Sequence, residues 1–395
     1  MSAKVFLRKK IAPRIAQGHP WVFASEIGEV VDFKKDGALV SVYSSNGSFV
    51  GKGYYNPASK ISIRLLTRKE QQDINDVFFL EHIRAAIRLR PSTLFHFPFV
   101  RLISSEADFL PGLTVDKIQN YIVFQTHTLG MELWKDTIAT CLQALFPECH
   151  IYEKNDGHFR KAEHLEVIRQ CWFADFEEQF IIDHSGWTFR VDLANAPRTG
   201  LYWEQWRLSR FLQPYFQGKK IWDAFCHDGY IVLSALQNGA SAAVGSDWKE
   251  LVLEQAREQA ARNGLSEKAG FVMANSFLNL SKTHLHDQCF DLIILDPPAL
   301  NGVGKNEEAV LSGYEKLLIN ALERLADEGL ILLTMSGMTL PEEVLLERIN
   351  RILQKQQRSW RIVDTIGQGA DHPRLAQVPA TQYFRAWLLA FNREI

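Results

Sequence analysis

Between Ile221 and Leu295 the spacing of apolar residues changes several times, and each change predicts an element. Ile221–Phe225 is a short apolar run read as a strand, and Gly229 follows in the turn. Tyr230–Gln237 carries its apolar residues at helical spacing and is closed by Asn238 and Gly239. Ala242–Gly245 is a second strand that stops at Asp247, and Phe290–Leu295 is a strand of the buried type that runs into Asp296, Pro297 and Pro298. On either side the pattern predicts a strand at Trp187–Leu193, a helix at Trp206–Tyr215, a helix at Lys249–Arg262 and a strand at Gly270–Ala274. Beyond Asp296 come a helix at Glu307–Ala326, a strand at Gly329–Met335, a helix at Pro341–Gln357, and closing strands at Trp360–Ile366 and Tyr383–Phe391. This is the alternation of a doubly wound sheet. Its last two strands have no helix between them, which predicts that one runs antiparallel.

The first 185 residues follow other rhythms. Residues 1–72 alternate in short runs, with strands at Ala38–Tyr43 and Lys60–Leu66 and a hairpin turn at Asn46-Gly47. Residues 73–188 predict a helix at Ile74–Arg90 and strands at Arg101–Ser104, Gly112–Asp116 and Tyr121–Thr126. A helix at Met131–Phe146 and strands at Cys149–Lys154 and Phe180–Asp183 follow, a strand-strand-helix-strand-strand module. The expected division is therefore a small β-rich domain (1–72), an α+β middle domain (73–188) and an α/β domain (189–395).

Composition narrows the function classes. An apolar content of 46% supports ordinary cores, no run has the length of a membrane span, and the basic N-terminus lacks the apolar stretch of a signal peptide. Cys141, Cys149, Cys171, Cys226 and Cys289 are scattered without a C-x-x-C pair, so neither a metal site nor a disulfide framework is expected, and the location expected is the cytoplasm. The net charge of −2 hides an asymmetry: residues 1–72 carry 12 basic against 5 acidic residues, which leaves −9 on the remainder. Lys9, Lys10, Arg14, His19, Lys52, Lys60 and Arg64 are the candidate contacts for an anionic partner, RNA above all, with Trp21 and Phe23 read as core. A solvated basic surface without a partner explains the same charges.

The chemistry is concentrated at the strand ends. A carboxylate at the tip of a second βαβ strand, here Asp247, can hold a ribose diol, but the single turn glycine provides poorly for a pyrophosphate. A nicotinamide dinucleotide is disfavoured for that reason. Two prolines after Asp296 fix the backbone where open α/β sheets bind ligands. Glycine turn, acidic strand tip and Asp-Pro-Pro, in this order, form the pattern of a class I S-adenosylmethionine (SAM)-dependent methyltransferase with a Rossmann-like sheet.

The chain resembles, over nearly its whole length, the PUA-domain-containing ribosomal RNA large-subunit methyltransferases. His19–Ile27 (HPWVFASEI) and Tyr54–Thr67 (YYNPASKISIRLLT) are similar to the PUA module, and Ser105–Gln125 (SEADFLPGLTVDKIQNYIVFQ) to the middle domain. Arg198–Tyr202 (RTGLY), Asp296–Pro298 and Ala370–Pro373 (ADHP) are similar to the methyltransferase signatures. The resemblance implies SAM as cofactor, ribosomal RNA as partner (a homodimer being left open), and methylation of cytosine C5 as the family's best-known reaction. It implies that Phe225, Cys226, His227 and Gly229 form the first cofactor loop and that Asp247, followed by Trp248, holds the ribose. Asn275 would lie at the adenine, Ser276 and Gln205 (the latter just before the cofactor domain) would also bind the cofactor, and Asp296 would be both a cofactor contact and the catalytic carboxylate.

Several positions depart from that pattern. C5 becomes nucleophilic only after a thiolate adds to C6, and Gly337 occupies the position of the family's cysteine in Leu333–Met338 (LTMSGM), with no cysteine after Cys289. Ser336 is a poor substitute, and Cys226 reads as a small buried thiol. Asp223, Asn275 and Trp206 differ as well, and Ala299-Leu300 follow the prolines where amino-group methyltransferases place an aromatic. Methylation of a base nitrogen, such as guanine's, and an inactive RNA-binding relative are the alternatives.

Overall fold

The structure is a computed structural model that describes residues 3–184, 186–195, 198–199, 202–278, 280, 283, 285–300, 306–337, 340–356 and 358–393. Gly200 and Leu201 of the RTGLY segment and Met338 lie outside the described residues. The chain divides into two compact units. One comprises Met1–Ser185, Arg190–Leu201 and Gly369–Thr381, and the other comprises Gly186–Phe189, Tyr202–Gln368 and Gln382–Ile395.

The first unit contains a six-stranded sheet in the order Trp21–Val22, Ile63–Thr67, Phe49–Tyr55, Leu39–Tyr43, Ala3–Leu7, Ile27–Val31. The Asn46-Gly47 turn forms as expected, with Gly47 at φ +85° and Ser44 N–H donating to Ser48 O. A five-stranded sheet follows in the order Ile168–Trp172, His150–Asn155, Tyr121–Thr126, Leu113–Ile118, Phe99–Ser104. Its Ile168–Trp172 edge strand escapes the sequence pattern because its burial does not alternate. The two sheets share a core. Tyr54 is buried, its hydroxyl donates to Pro111 O at 2.7 Å, and Asn56 and Arg64 both reach Glu163. Asp108 and Arg90 form a bidentate ion pair at 2.8 and 2.5 Å with side chains 1% and 0% exposed. The single helix expected over Met131–Phe146 is two, Leu129–Glu132 and Lys135–Leu145. Trp134 leaves helical geometry between them, and its ring packs on Phe79 at 4.9 Å.

The ADHP segment belongs to this first unit, although it resembles a methyltransferase signature. Asp371 accepts from Arg101 N–H at 3.1 Å and pairs with His372 Nδ1 at 2.9 Å. Arg101 also grips Asp116, which accepts the Thr199 hydroxyl of the RTGLY segment.

The second unit holds a seven-stranded sheet made of β1 (Lys220–Asp223), β2 (Ala242–Asp247), β3 (Ala269–Met273), β4 (Phe290–Leu295), β5 (Leu325–Ser336), β6 (Arg358–Gly367) and β7 (Phe384–Arg393). The order is β3-β2-β1-β4-β5-β7-β6. The pairs among β1 to β5 are parallel, and β7 runs antiparallel to both β5 and β6, as the missing crossover helix predicts. The helix expected to reach Ala326 stops at Leu322, because Leu325 already pairs with Phe290 on the neighbouring strand. Helices Tyr230–Gln237, Glu250–Arg262, Glu307–Leu322 and Glu342–Lys355 supply the crossovers, and the core on one face gathers Trp222, Ile293, Leu317, Ile331 and Trp387.

Candidate functional site

Strand order reverses at β1, which has β2 on one side and β4 on the other, and ligands of open α/β sheets bind outside the carboxyl ends at such a switch point. Register brings three carboxylates to that edge. Asp223 of β1 pairs with Gly245 of β2 and with Ile294 of β4. Asp247 and Asp296 therefore each stand two residues further along a flanking strand.

The turn after β1 is built from its backbone. His227 takes φ +49° and Gly229 φ +82°, and a Cβ at Gly229 would meet the Phe271 ring at 2.9 Å, so the glycine is required twice over. Phe225 N–H donates to Asp223 Oδ1 at 3.3 Å, Cys226 N–H to Ser246 O at 3.0 Å, and the Ser276 hydroxyl to Ala224 O at 2.8 Å. Ser276, expected to bind the cofactor, is thus buried as a tie between two strand ends. Cys226 is fully buried against Gly245, where an added Cβ would lie 2.7 Å from its sulfur. Burial first, then Asp223, Asp247 and Asp228, push its thiol well above the usual range, which removes the thiolate a nucleophile needs.

Asp223, singled out in the sequence only as a departure from the family pattern, has a setting that the sequence did not show. Its side chain is buried, its Oδ2 has no hydrogen-bond partner, and its pKa is raised to about 8. Burial is the main cause, and the charges of Asp296, Asp247 and Asp228 add to it against the Phe225 N–H. The signal was present in the sequence as a third acidic strand tip. Beside it, burial works against a charged His227, but Asp228, 3.6 Å away, outweighs burial and raises the imidazole pKa.

The sign of the Asp223 shift fixes a stability effect. The folded carboxyl binds its proton more tightly than the unfolded one, so stability falls as pH rises from about 4 to about 8, by ~1.4 kcal/mol per unit at most. In urea titrations of the ligand-free protein, Asp223→Asn is expected to gain stability over the parent between pH 5 and 8, by up to about 4 kcal/mol. An unchanged difference across that range would show that Asp223 is already ionised.

The remaining expected residues fall as follows. Asp247 accepts from Lys249 N–H at 3.0 Å, which orients its carboxylate. Trp248 is 63% exposed with Lys249 Nζ 5.0 Å from its ring centre, and the Tyr230 ring packs among Trp187, Phe189 and Trp206. Asn275 is exposed at the end of β3 and accepts from Phe277 N–H at 3.1 Å. Gln205 is buried in the first turn of helix Trp203–Leu212, and Tyr202 just before that helix sets its ring 4.8 Å from His227. Asp296 accepts the hydroxyl of buried Thr334 on β5. A small hollow nearby is lined by Leu300, Tyr314, Met335, Ser336 and Gly337, among others. Burial, and then the charge of Asp296, hold the Tyr314 phenol in its neutral form.

Among the seven basic residues, Lys9, Lys10 and Lys60 are exposed. Arg14 pairs with Glu26 and stacks on Phe23, Arg64 pairs with Glu163, Lys52 donates to Gln72 O, and His19 is buried.

The crevice suits SAM on its own evidence. It gathers negative charge without a phosphate cradle, and its most buried carboxylate has an oxygen in need of a partner. Among the described residues no three His, Cys, Asp or Glu side chains converge as metal ligands, and no helix is long and apolar enough to cross a membrane.

Comparison with known proteins agrees with this geometry. Residues 5–68 match a PUA-like domain, and residues 168–382 match the S-adenosylmethionine-dependent methyltransferase family. The chain is 32% identical to the ribosomal RNA large subunit methyltransferase I of Photobacterium profundum over 98% of its own length and 99% of the relative's. It is also 32% identical to that of Vibrio cholerae, with the same coverage. A candidate SAM-dependent methyltransferase from Streptococcus mutans superposes with a TM-score of 0.81 at 19% identity, over 99% of this chain and 100% of that one. A candidate methyltransferase in complex with SAH superposes with a TM-score of 0.80 at 20% identity, over 98% and 99%. At these identities the two structures establish the fold.

Proposed function

The chain belongs to the S-adenosylmethionine-dependent methyltransferases of the ribosomal RNA large subunit, and from that premise we propose that it methylates large-subunit ribosomal RNA on a base nitrogen, by direct transfer and without a thiolate intermediate. The observation that carries the reading is the state of the cysteines. Gly337 stands in the family's cysteine position with φ +89°, a backbone that a side chain rarely adopts. Cys226 is buried and held as a thiol, and Cys289 precedes β4 at the opposite edge of the sheet. Cys141, Cys149 and Cys171 belong to the first unit. A C5 mechanism has no nucleophile here.

Direct transfer needs position rather than covalent chemistry. When bound, SAM supplies a methyl group on a positively charged sulfur. Asp247 would take the ribose hydroxyls and the Phe225–Gly229 turn the methionine end. Asp296, fixed by the Thr334 hydroxyl, would accept a hydrogen bond from the base N–H, aim the nitrogen at the methyl carbon and receive the proton it sheds. The hollow beside Tyr314 and Gly337 would receive the base. The exposed Lys9, Lys10 and Lys60 would contact phosphates, and a ribosomal substrate would place the protein in the cytoplasm.

The test is mass spectrometry of ribosomal RNA nucleosides with and without the protein. An N-methylated nucleoside is expected, and 5-methylcytidine would overturn the nitrogen assignment. Asp296→Asn is expected to lower kcat about 10²- to 10⁴-fold while SAM binds nearly as before.

A further inference from the structure

SAM and its product S-adenosylhomocysteine (SAH) differ by one methyl group and by one positive charge on sulfur. A site that works repeatedly must hold the first and let go of the second. The crevice at the carboxyl ends of β1, β2 and β4 contains a group suited to reading that difference. Asp223 is 1% exposed, and its buried Oδ2 has no hydrogen-bond partner among the described residues. Such an atom is costly to bury unless it is protonated or meets a cation.

Every element packed around Asp223 makes the cation the better partner. Asp247 faces it from β2, Asp296 from beyond β4, and Asp228 from the turn, while the Phe225 N–H donates to its other oxygen. The buried Cys226 thiol is neutral. His227 is paired with Asp228, Lys249 lies over the exposed Trp248 ring, and Tyr314 is neutral beside Asp296. None of these positive or neutral groups bonds Asp223 Oδ2. The cluster does not assemble as a metal site among the described residues, so the orphan oxygen points to an organic cation or a proton.

We propose that Asp223 is the residue that distinguishes SAM from SAH, losing its proton when the sulfonium enters and regaining it once the methyl group has left. The balance closes. On SAM binding the carboxyl O–H bond breaks and the proton goes to solvent, leaving a carboxylate opposite the positive sulfur. After transfer the methyl is bonded to the RNA base and the sulfur is neutral, and a solvent proton returns to the carboxylate. With the sulfur neutral and the carboxyl protonated, the ion pair that favoured SAM is gone, and SAH is held more weakly. The inference rests on the cofactor alone and is independent of which RNA atom is methylated.

Isothermal titration of the full chain with SAM and with SAH, in buffers of different ionisation enthalpy, tests it directly. Between pH 6 and 7, SAM binding is expected to release close to one proton more than SAH binding, and about half a proton more at pH 8. SAM affinity should rise by up to about tenfold per pH unit and level off above pH 8, while SAH affinity stays flat. In Asp223→Asn the difference in proton release should vanish, and the SAM-to-SAH affinity ratio should lose its pH dependence. Asp228→Asn removes a neighbour but not the carboxyl, so it should keep the proton release and shift its midpoint to lower pH. Equal proton release for SAM and SAH overturns the proposal, as does a difference that survives in Asp223→Asn. Those outcomes leave the methyltransferase reading intact, which only failure to bind either compound would damage.

Discussion

Asp108→Ala is expected to destabilise the first unit by about 3–5 kcal/mol, because it strands the Arg90 guanidinium in the core. Arg90 has no exposed side-chain surface, and both of its terminal nitrogens bond Asp108. Removing the carboxylate also releases Ser104 N–H, which donates to Asp108 Oδ2 at 2.6 Å. A surface ion pair such as Arg351–Glu347, 63% exposed on both sides, serves as the contrast and should contribute less than about 1 kcal/mol. Urea midpoints followed by fluorescence would report both. If Asp108→Ala cost no more than Glu347→Ala, the buried pair would not be a stabilising feature. The double replacement Arg90→Met with Asp108→Leu should recover much of the loss, since it removes both charges from the core.

Asp247→Ala is expected to weaken SAM binding roughly 100-fold. Two hydroxyl donors to one carboxylate contribute ~1.5 kcal/mol each, and 1.4 kcal/mol is a factor of ten. The fold should be undisturbed, because Asp247 is half-exposed at the strand end and its carboxylate accepts from the Lys249 N–H just two residues along the chain. Calorimetric affinity is the readout, and a change under threefold would remove Asp247 from the ribose-binding role. Asp247→Asn, which keeps the shape and acceptor oxygen, should fall between the two.

The α/β half of the chain could be read from its sequence almost strand by strand. Its buried parallel strands are mostly apolar runs with hard punctuation, such as Phe290–Leu295, broken by Asp291 and followed by Asp296 and two prolines, and both are local signals. Ile168–Trp172 is an edge strand without alternation, so nothing local announces it. The site divides along the same line. Asp247 and Asp296 are visible because each ends a recognisable strand. What Asp223 does depends on the carboxylates that register brings beside it from strands 24 and 73 residues away, and sequence spacing does not carry that information. Ser276 shows the reverse case: a residue adjacent to a cofactor position whose hydroxyl is already spent on Ala224 O. ADHP lies within the segment that matches the methyltransferase family, and in the fold its Asp371 closes on Arg101 of the first unit.

That last contact has a bearing on how the molecule is made. Synthesis proceeds from the N-terminus and domains tend to fold as they emerge, yet the first unit includes Gly369–Thr381. Until that stretch leaves the ribosome, Arg101 N–H lacks the carboxylate that meets it in the finished protein. The portion translated earliest is therefore completed almost last, and a chain cut short before residue 369 would leave both ends of the protein unfinished.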